Sequence, residues 1–117
     1  MKLSIVNIID RGVANKERLH LAALVPINLA YYAVVASMYA RDRKTIAGGN
    51  RQMYWFEPSQ VNAGDWIILY TGSGQYSKHV RLGGGTNHFF YWGLKETVWH
   101  DPLSSATLFE INNWETK

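Results

Sequence analysis

Seven stretches of the chain have the apolar pattern typical of β-strands, at residues 3–9, 16–24, 29–40, 51–57, 66–71, 88–92 and 106–111. In the second stretch, Leu19 and Leu21 fall on one face of an extended chain, whereas Arg18 and His20 fall on the other. This alternation predicts a strand with one face in the core and with His20 pointing to water. The third stretch is apolar on both faces, which is typical of a central strand.

Turn residues separate these strands. The tripeptide Asp-Arg-Gly at residues 10–12, Pro58 and Gly93 each stand at a predicted strand end, because glycine and proline favour turns. Residues 72–86 contain five glycines, which predicts a long mobile loop. No segment has the spacing of a convincing amphipathic helix. The pattern therefore predicts an all-β protein, a two-layer antiparallel immunoglobulin-like sandwich of about seven strands. We expect it to occupy residues 1–117 as one domain, with a small barrel as the alternative.

Residues 19–40 carry no formal charge and are long enough to cross a bilayer, with basic residues on both sides. A membrane helix is therefore the competing interpretation of this segment. Pro26 and Asn28 stand in its middle, where they favour a turn or a strand boundary over a helix interior. We interpret the segment as two adjacent strands joined at residues 25–28, and we expect no membrane contact.

The second half of the chain resembles lamin-tail-type domains, the immunoglobulin-like modules found at the end of nuclear lamins and in many bacterial proteins. Residues 62–72, Asn-Ala-Gly-Asp-Trp-Ile-Ile-Leu-Tyr-Thr-Gly, are similar to the glycine-containing turn and strand of this family. The string Tyr-Trp-Gly-Leu at residues 91–94, the pair Val98-Trp99 and a last strand at residues 106–109 follow in the family's order. The resemblance covers about residues 50 to 112.

The first half fits this family more loosely, through residues 17–21, where the family has a Glu-containing second strand. After Val98-Trp99 the family commonly has an Asn-rich, Gly-Asp turn, whereas this chain runs His-Asp-Pro-Leu-Ser-Ser at residues 100–105. The resemblance implies a small stand-alone member of the bacterial type, with the sandwich fold. It also implies a non-catalytic scaffold that binds proteins, nucleic acid or polymer surfaces.

Composition narrows the possible chemistry. The 117 residues are 47% hydrophobic and 18% charged, which suits a folded domain, and none of them is cysteine. Disulfides, thiol nucleophiles and cysteine-ligated metal sites are therefore excluded. The chain meets Asp10 before any long apolar segment or cleavage site, so its start does not resemble a signal peptide. We expect a cytoplasmic protein that needs no cofactor.

The candidate catalytic and metal-binding groups are few. The chain has four histidines, His20, His79, His88 and His100. Their spacing fits no metal motif, so we interpret them as loop and strand-end residues exposed to water. His100-Asp101 with Ser104 or Ser105 would suit a hydrolase, yet catalytic triads are assembled across a fold and rarely between sequence neighbours. The glycine clusters open no helix and lack the phosphate-loop lysine. The sequence therefore predicts neither an active site nor a metal site.

Basic residues in two predicted loops are the sharpest electrostatic feature of the chain, whose formal net charge is +3. The first loop holds Arg41, Arg43, Lys44 and Arg51, and the second holds Lys78, His79 and Arg81 beside Tyr76. Such loops can neutralise phosphates and stack on bases, so nucleic-acid binding is the alternative function. Charged loop tips also simply keep a sandwich soluble, and we favour that interpretation.

The chain is also rich in aromatic residues, at 14% with five tryptophans and seven tyrosines. Tryptophan and tyrosine are enriched in the energetic centres of protein interfaces. Trp99 and Trp114, which lie near loops or the terminus, are the predicted exposed contacts. The sequence therefore predicts a non-catalytic interaction or structural domain that binds a protein partner or self-associates.

Overall fold

A computed structural model of the protein describes residues 1–39, 42, 46–47 and 52–117. Nearly all its regular elements are strands. These are β1 (Leu3–Ile9), β2 (Arg18–Ala23), β3 (Ile27–Asn28), β4 (Tyr32–Tyr39), β5 (Ile46–Ala47), β6 (Met53–Trp55), β7 (Gln60–Val61), β8 (Trp66–Tyr70), β9 (Ser77–Val80), β10 (Thr86–Tyr91) and β11 (Ser104–Glu110). A single turn of 3₁₀ helix, Leu29–Tyr31, precedes β4, and the Asn28 side chain caps it by accepting a hydrogen bond from the N–H of Ala30.

Two sheets form the layers. The first has the strand order β1-β2-β8-β10-β9. The second has the order β11-β4-β5, and β6 also pairs with β4. The short strands β3 and β7 pair with each other. All described pairings are antiparallel except that of β8 with β10, which is parallel.

The inward faces of the two sheets meet in one cluster of buried side chains. Its members are Leu3, Leu19, Leu21, Ala23, Ile27, Leu29, Tyr32, Val34, Phe56, Val61, Ile67, Leu69, Phe90 and Trp99. Alternation along the strands places them there, because Leu19 and Leu21 on β2 face Ile67 and Leu69 on β8 through one common side of the sheet. Each large apolar side chain contributes about 1.5–3 kcal/mol by leaving water.

The predicted all-β sandwich is confirmed, and each of the seven predicted strands corresponds to an observed one. Two details of the prediction are wrong. Among the described residues there are more strands than seven, because four short ones (β3, β5, β7 and β9) join the long ones. The sheets are also not purely antiparallel. The chain passes from β8 to the outer position as β9 and then returns as β10 between them, so β8 and β10 become parallel neighbours.

The prediction of one long loop over residues 72–86 is also wrong, because β9 lies within it. The glycines form the turn of the hairpin between β9 and β10, where Gly83, Gly84 and Gly85 all have positive φ angles, at 88°, 113° and 82°. Only glycine adopts such a run of angles without strain. Residues 77–80 were missed because they contain one apolar residue and pair on one side only.

The segment at residues 19–39 forms β2, β3, the 3₁₀ turn and β4, in agreement with its interpretation as strands. No helix in the described part of the chain has the length and apolarity needed to cross a membrane.

Candidate functional site

The outward side of the β11-β4-β6 sheet is apolar. Strand register aligns Phe109, Ala33 and Trp55 in one row across the three strands, and Thr107, Val35 and Met53 in the next. The side chains that alternate with them, such as Tyr54, point into the core. Phe109, Met53 and Trp55 are 44%, 54% and 42% exposed. Large apolar side chains therefore lie in contact with water on this side of the sandwich.

Two more aromatic residues extend this surface. Trp114, which follows β11, packs edge-on against Trp55 with ring centroids 5.2 Å apart and against Tyr31 at 5.5 Å. The indole N–H of Trp55 donates to the carbonyl of Ala30 at 2.7 Å, which fixes its orientation. Tyr31 and Trp114 are nearly half exposed. We call Tyr31, Met53, Trp55, Phe109 and Trp114 the aromatic face.

No formally charged side chain points outward from the described residues of these three strands. The outward positions are Ala33, Val35, Ser37, Tyr39, Met53, Trp55, Ser105, Thr107 and Phe109. The three small hydroxyl residues among them satisfy one another, since the Ser37 hydroxyl is hydrogen-bonded to those of Ser105 at 2.7 Å and Thr107 at 2.8 Å. This surface therefore offers apolar contact without any charge to be matched.

The outward side of the other sheet differs in character, because cations lie on its aromatic rings. The Arg81 guanidinium stands 4.1 Å from the centroid of the Trp66 ring, and that of Arg18 stands 5.6 Å from Tyr70. The Tyr70 ring stacks on that of Tyr91 with centroids 5.3 Å apart and planes 11° from parallel. The guanidinium groups of Arg18 on β2 and of Arg81 in the turn after β9 thus share this surface with the rings of β8 and β10.

His20 belongs to this second surface and does not point to water as predicted. Its ring packs edge-on against Trp66 at 4.8 Å, and its Nε2 atom is buried without a hydrogen-bond partner in the described structure. Burial lowers the pKa of His20, and the charges of Arg81 and Arg18 lower it further. The alternation was interpreted correctly, but the neighbouring Trp66 covers the ring.

Only the second of the two predicted basic loops has its basic residues in the described part of the structure. Arg41, Arg43, Lys44 and Arg51 lie outside the residues that the structure describes. Lys78 is exposed on β9, an edge strand of its sheet. Arg81 is held in place, because its guanidinium donates to the carbonyl of Gly64 at 2.7 Å and to the Asn87 side chain at 2.8 Å. Arg81 is therefore fixed on the Trp66 surface and is not a freely moving loop cation.

The two tryptophans predicted as exposed contacts lie in different environments. Trp114 is 47% exposed and belongs to the aromatic face. Trp99 is completely buried, so the prediction that it lies on the surface is wrong. Its indole N–H donates to the carbonyl of Ser105 at 2.8 Å, and its own backbone N–H donates to the carboxylate of Glu17. The two hydrogen bonds and the core contacts assign Trp99 a structural role.

Tyr76, another predicted binding residue, takes part in a hydrogen-bonded chain with His88 and Asp65. His88 Nε2 lies 2.9 Å from Asp65 Oδ2, and His88 Nδ1 lies 3.0 Å from the Tyr76 hydroxyl. The Asp65 carboxylate accepts from Nε2 of His88, and in the tautomer that carries its proton there Nδ1 is left as the acceptor for the Tyr76 hydroxyl. His88 is only 5% exposed, so the expectation of four water-exposed histidines fails for it. His88 and Phe90 alternate with more exposed residues along β10, and this alternation is the sequence signal that could have predicted the burial of His88.

Asp65 is the buried end of this series of hydrogen bonds. Burial by itself would raise the pKa of Asp65, but the backbone N–H of Asn62, the His88 ring and the N–H of Thr86 outweigh it and hold that pKa below its ordinary value. These contacts tie the turn before β8 to the start of β10. Together the three side chains fasten the segment around Tyr76 to the first sheet.

The groups that suggested a hydrolase are not brought together. The Ser104 hydroxyl donates to the backbone carbonyl of Asp101, and the His100 ring contacts Thr97. Among the described residues, no three His, Asp or Glu side chains are grouped so that they could hold a metal ion.

No family model, no curated protein and no solved structure matches the chain.

Proposed function

We propose that the chain is a cytoplasmic, non-catalytic interaction domain of lamin-tail type, and that it self-associates through the aromatic face. One observation carries this proposal: five large apolar side chains lie together on a sheet surface from which, among the described residues, no charged side chain points outward. Monomeric proteins rarely expose contiguous apolar patches of more than a few hundred Å², and larger ones mark interaction surfaces.

A second copy of the chain is the partner that this chemistry favours. In a twofold dimer the same patch meets itself, so any charge on it would approach a like charge. The outward positions of β11, β4 and β6 avoid that repulsion, and homodimer interfaces are the more apolar class of interface. Trp55 and Trp114 would supply the central contacts, since their rings are already ordered by Ala30 and by each other.

The oligomeric state in solution tests this proposal. We expect sedimentation velocity to show a concentration-dependent dimer for the natural chain. Met53→Lys should shift the chain to monomer, because the twofold axis would bring two introduced ammonium groups into an apolar contact. Leu82→Lys is the matched control, since Leu82 is fully exposed in the hairpin turn, away from this face. A natural chain that stays monomeric at every concentration would refute self-association.

Nucleic-acid binding is the second candidate, and one observation favours it: the alternation of Arg18, Tyr70, Trp66 and Arg81 on the first sheet. Single-stranded nucleic acid is bound elsewhere by aromatic rings that stack on bases and by cations that track the phosphates. We expect binding of a short single-stranded oligonucleotide to weaken as salt rises, and Trp66→Ala to weaken it at every salt concentration. If oligonucleotide binding is unchanged both by higher salt and by Trp66→Ala, nucleic-acid binding through this surface is ruled out.

A further inference from the structure

A cleft of about 350 Å³ opens at the side of the sandwich, where β9 begins. Strand β9 pairs with β10 only over residues 86–89, so Phe90 and Tyr91 continue past the end of their neighbour. The segment that carries Tyr76 crosses there, and β6 contributes Tyr54, its middle residue, from the opposite sheet. Four aromatic side chains from three parts of the chain therefore line one cleft.

Packing behind the cleft holds these rings in place. Tyr76 lies against Phe90 with ring centroids 4.9 Å apart, and the hydrogen bond to His88 fixes its hydroxyl. Tyr54 packs edge-on against Phe56 at 5.0 Å, and Phe56 packs in the same way against Phe90 at 5.1 Å. Tyr54 and Tyr76 both line the cleft, and no ring contact joins them among the described residues.

A carboxylate supplies the charge of the cleft. Glu57 lines it and is exposed, with no ion-pair partner among the described residues. Among the residues that the structure describes, no lysine or arginine lines the cleft. Burial raises the pKa of Tyr54, and the Glu57 carboxylate raises it further, which reflects how close the two groups lie. The electrostatic character of the cleft is negative, from one carboxylate and from the faces of aromatic rings.

We propose that this cleft binds a methylated ammonium group, such as that of choline or of a methylated lysine side chain. The faces of tyrosine and phenylalanine rings attract cations, and the attraction strengthens as the cation loses water. A methylated ammonium is weakly hydrated and covers its charge with methyl groups, so it suits a partly buried aromatic cleft better than a compact ammonium does. Glu57 would neutralise it. An anion would be repelled by Glu57, and a neutral group of the same shape would gain neither the cation–π attraction nor the ion pair.

This site is separate from the aromatic face, so its test does not depend on self-association. Chemical-shift titration of the full chain with choline, with a short peptide carrying trimethyl-lysine, and with 3,3-dimethylbutanol provides it. The last compound has the shape of choline without the charge. We expect both cations to bind, and the neutral compound to bind about tenfold more weakly, as a partly desolvated cation–π contact implies. Tighter binding of the peptide would indicate a protein side chain as the natural source, and tighter binding of choline a small molecule or headgroup.

Variants locate the site. Glu57→Gln should weaken choline binding severalfold with no loss of fold, because Glu57 is exposed. Tyr76→Ala should abolish binding, whereas Tyr76→Phe should retain it because the ring remains. Glu115→Gln is the matched control that removes a carboxylate elsewhere, and thermal unfolding of each variant shows whether it folds. The proposal is overturned if no probe binds, if the neutral compound binds as tightly as choline, or if Glu57→Gln leaves the affinity unchanged.

Discussion

The carboxylate of Glu17 accepts a hydrogen bond of 3.1 Å from the backbone N–H of Trp99, which lies 82 residues further along the chain. The same carboxylate accepts from the N–H of Gly12 at 2.7 Å and from that of Val98 at 2.8 Å. Glu17 is completely buried. One side chain therefore satisfies three backbone donors in two loops that no strand pairing joins.

The first prediction concerns this carboxylate. Glu17→Gln should lower the free energy of unfolding by about 3 kcal/mol, because the amide removes the charge and presents an N–H₂ group to donors that need an acceptor. Urea denaturation measures the change, and Glu96→Gln is the control for loss of a surface charge. Equal midpoints for the natural chain and Glu17→Gln would contradict the assigned role.

The strands could be predicted from the sequence because each long strand carries its own signal. Residues 3–9 and 66–70 have apolar side chains on one or both faces of an extended chain. This pattern is local, and the burial of a face follows from it. Strand β9 has no such signal, since its backbone is ordered by pairing with β10 and by the glycine turn between them. Its existence depends on a neighbour that the local pattern does not reveal.

The buried polar residues could not be predicted, for a related reason. Glu17, Asp65 and His88 have residue types that usually face water, and what allows their burial is a set of donors and acceptors distant in sequence. The prediction placed Trp99 on the surface because its neighbours in sequence form a polar turn. Nothing in that local pattern shows that its ring enters the core and donates to the carbonyl of Ser105. The aromatic excess did indicate that some rings must remain exposed, and strand register decides which ones.

The second prediction concerns acid stability. The pKa of Asp65 is lower in the folded state than its ordinary value of 3.8, so the ionised carboxylate stabilises the fold at neutral pH. That contribution is fully present above the unfolded pKa and is lost as the pH falls through the lower, folded pKa. We expect the difference in unfolding free energy between the natural chain and Asp65→Asn to be largest above about pH 4 and to shrink as the pH falls below it.

Thermal unfolding measured across this pH range provides the comparison. Asp101→Asn is a suitable control, because Asp101 is exposed and its carboxylate accepts only from the nearby N–H of Leu103 among the described hydrogen bonds. A difference between the natural chain and Asp65→Asn that stays constant with pH would show that the carboxylate charge contributes nothing.

The third prediction concerns Gly74, which packs directly against an aromatic ring. A Cβ atom at Gly74 would lie 2.5 Å from Cδ1 and Cε1 of Tyr91, far inside van der Waals contact. The Tyr91 ring is stacked on Tyr70 at 5.3 Å, so it cannot retreat without breaking that contact. We expect Gly74→Ala to lower the free energy of unfolding by about 1–3 kcal/mol, the usual cost of overpacking, and to change the near-UV circular dichroism of the displaced tyrosine.

Gly64→Ala separates this steric effect from backbone strain. Gly64 has a φ of +85° and no atom within 4 Å of an added Cβ, so alanine there meets strain without a clash. It should destabilise by about 1–2 kcal/mol with an unchanged near-UV spectrum, because no aromatic ring has to move. If Gly74→Ala leaves both the stability and the spectrum of the natural chain intact, the Tyr91 ring is not confined between Gly74 and Tyr70. Loss of stability with an unaltered spectrum would instead mean that the segment around Gly74 moves and the ring stays.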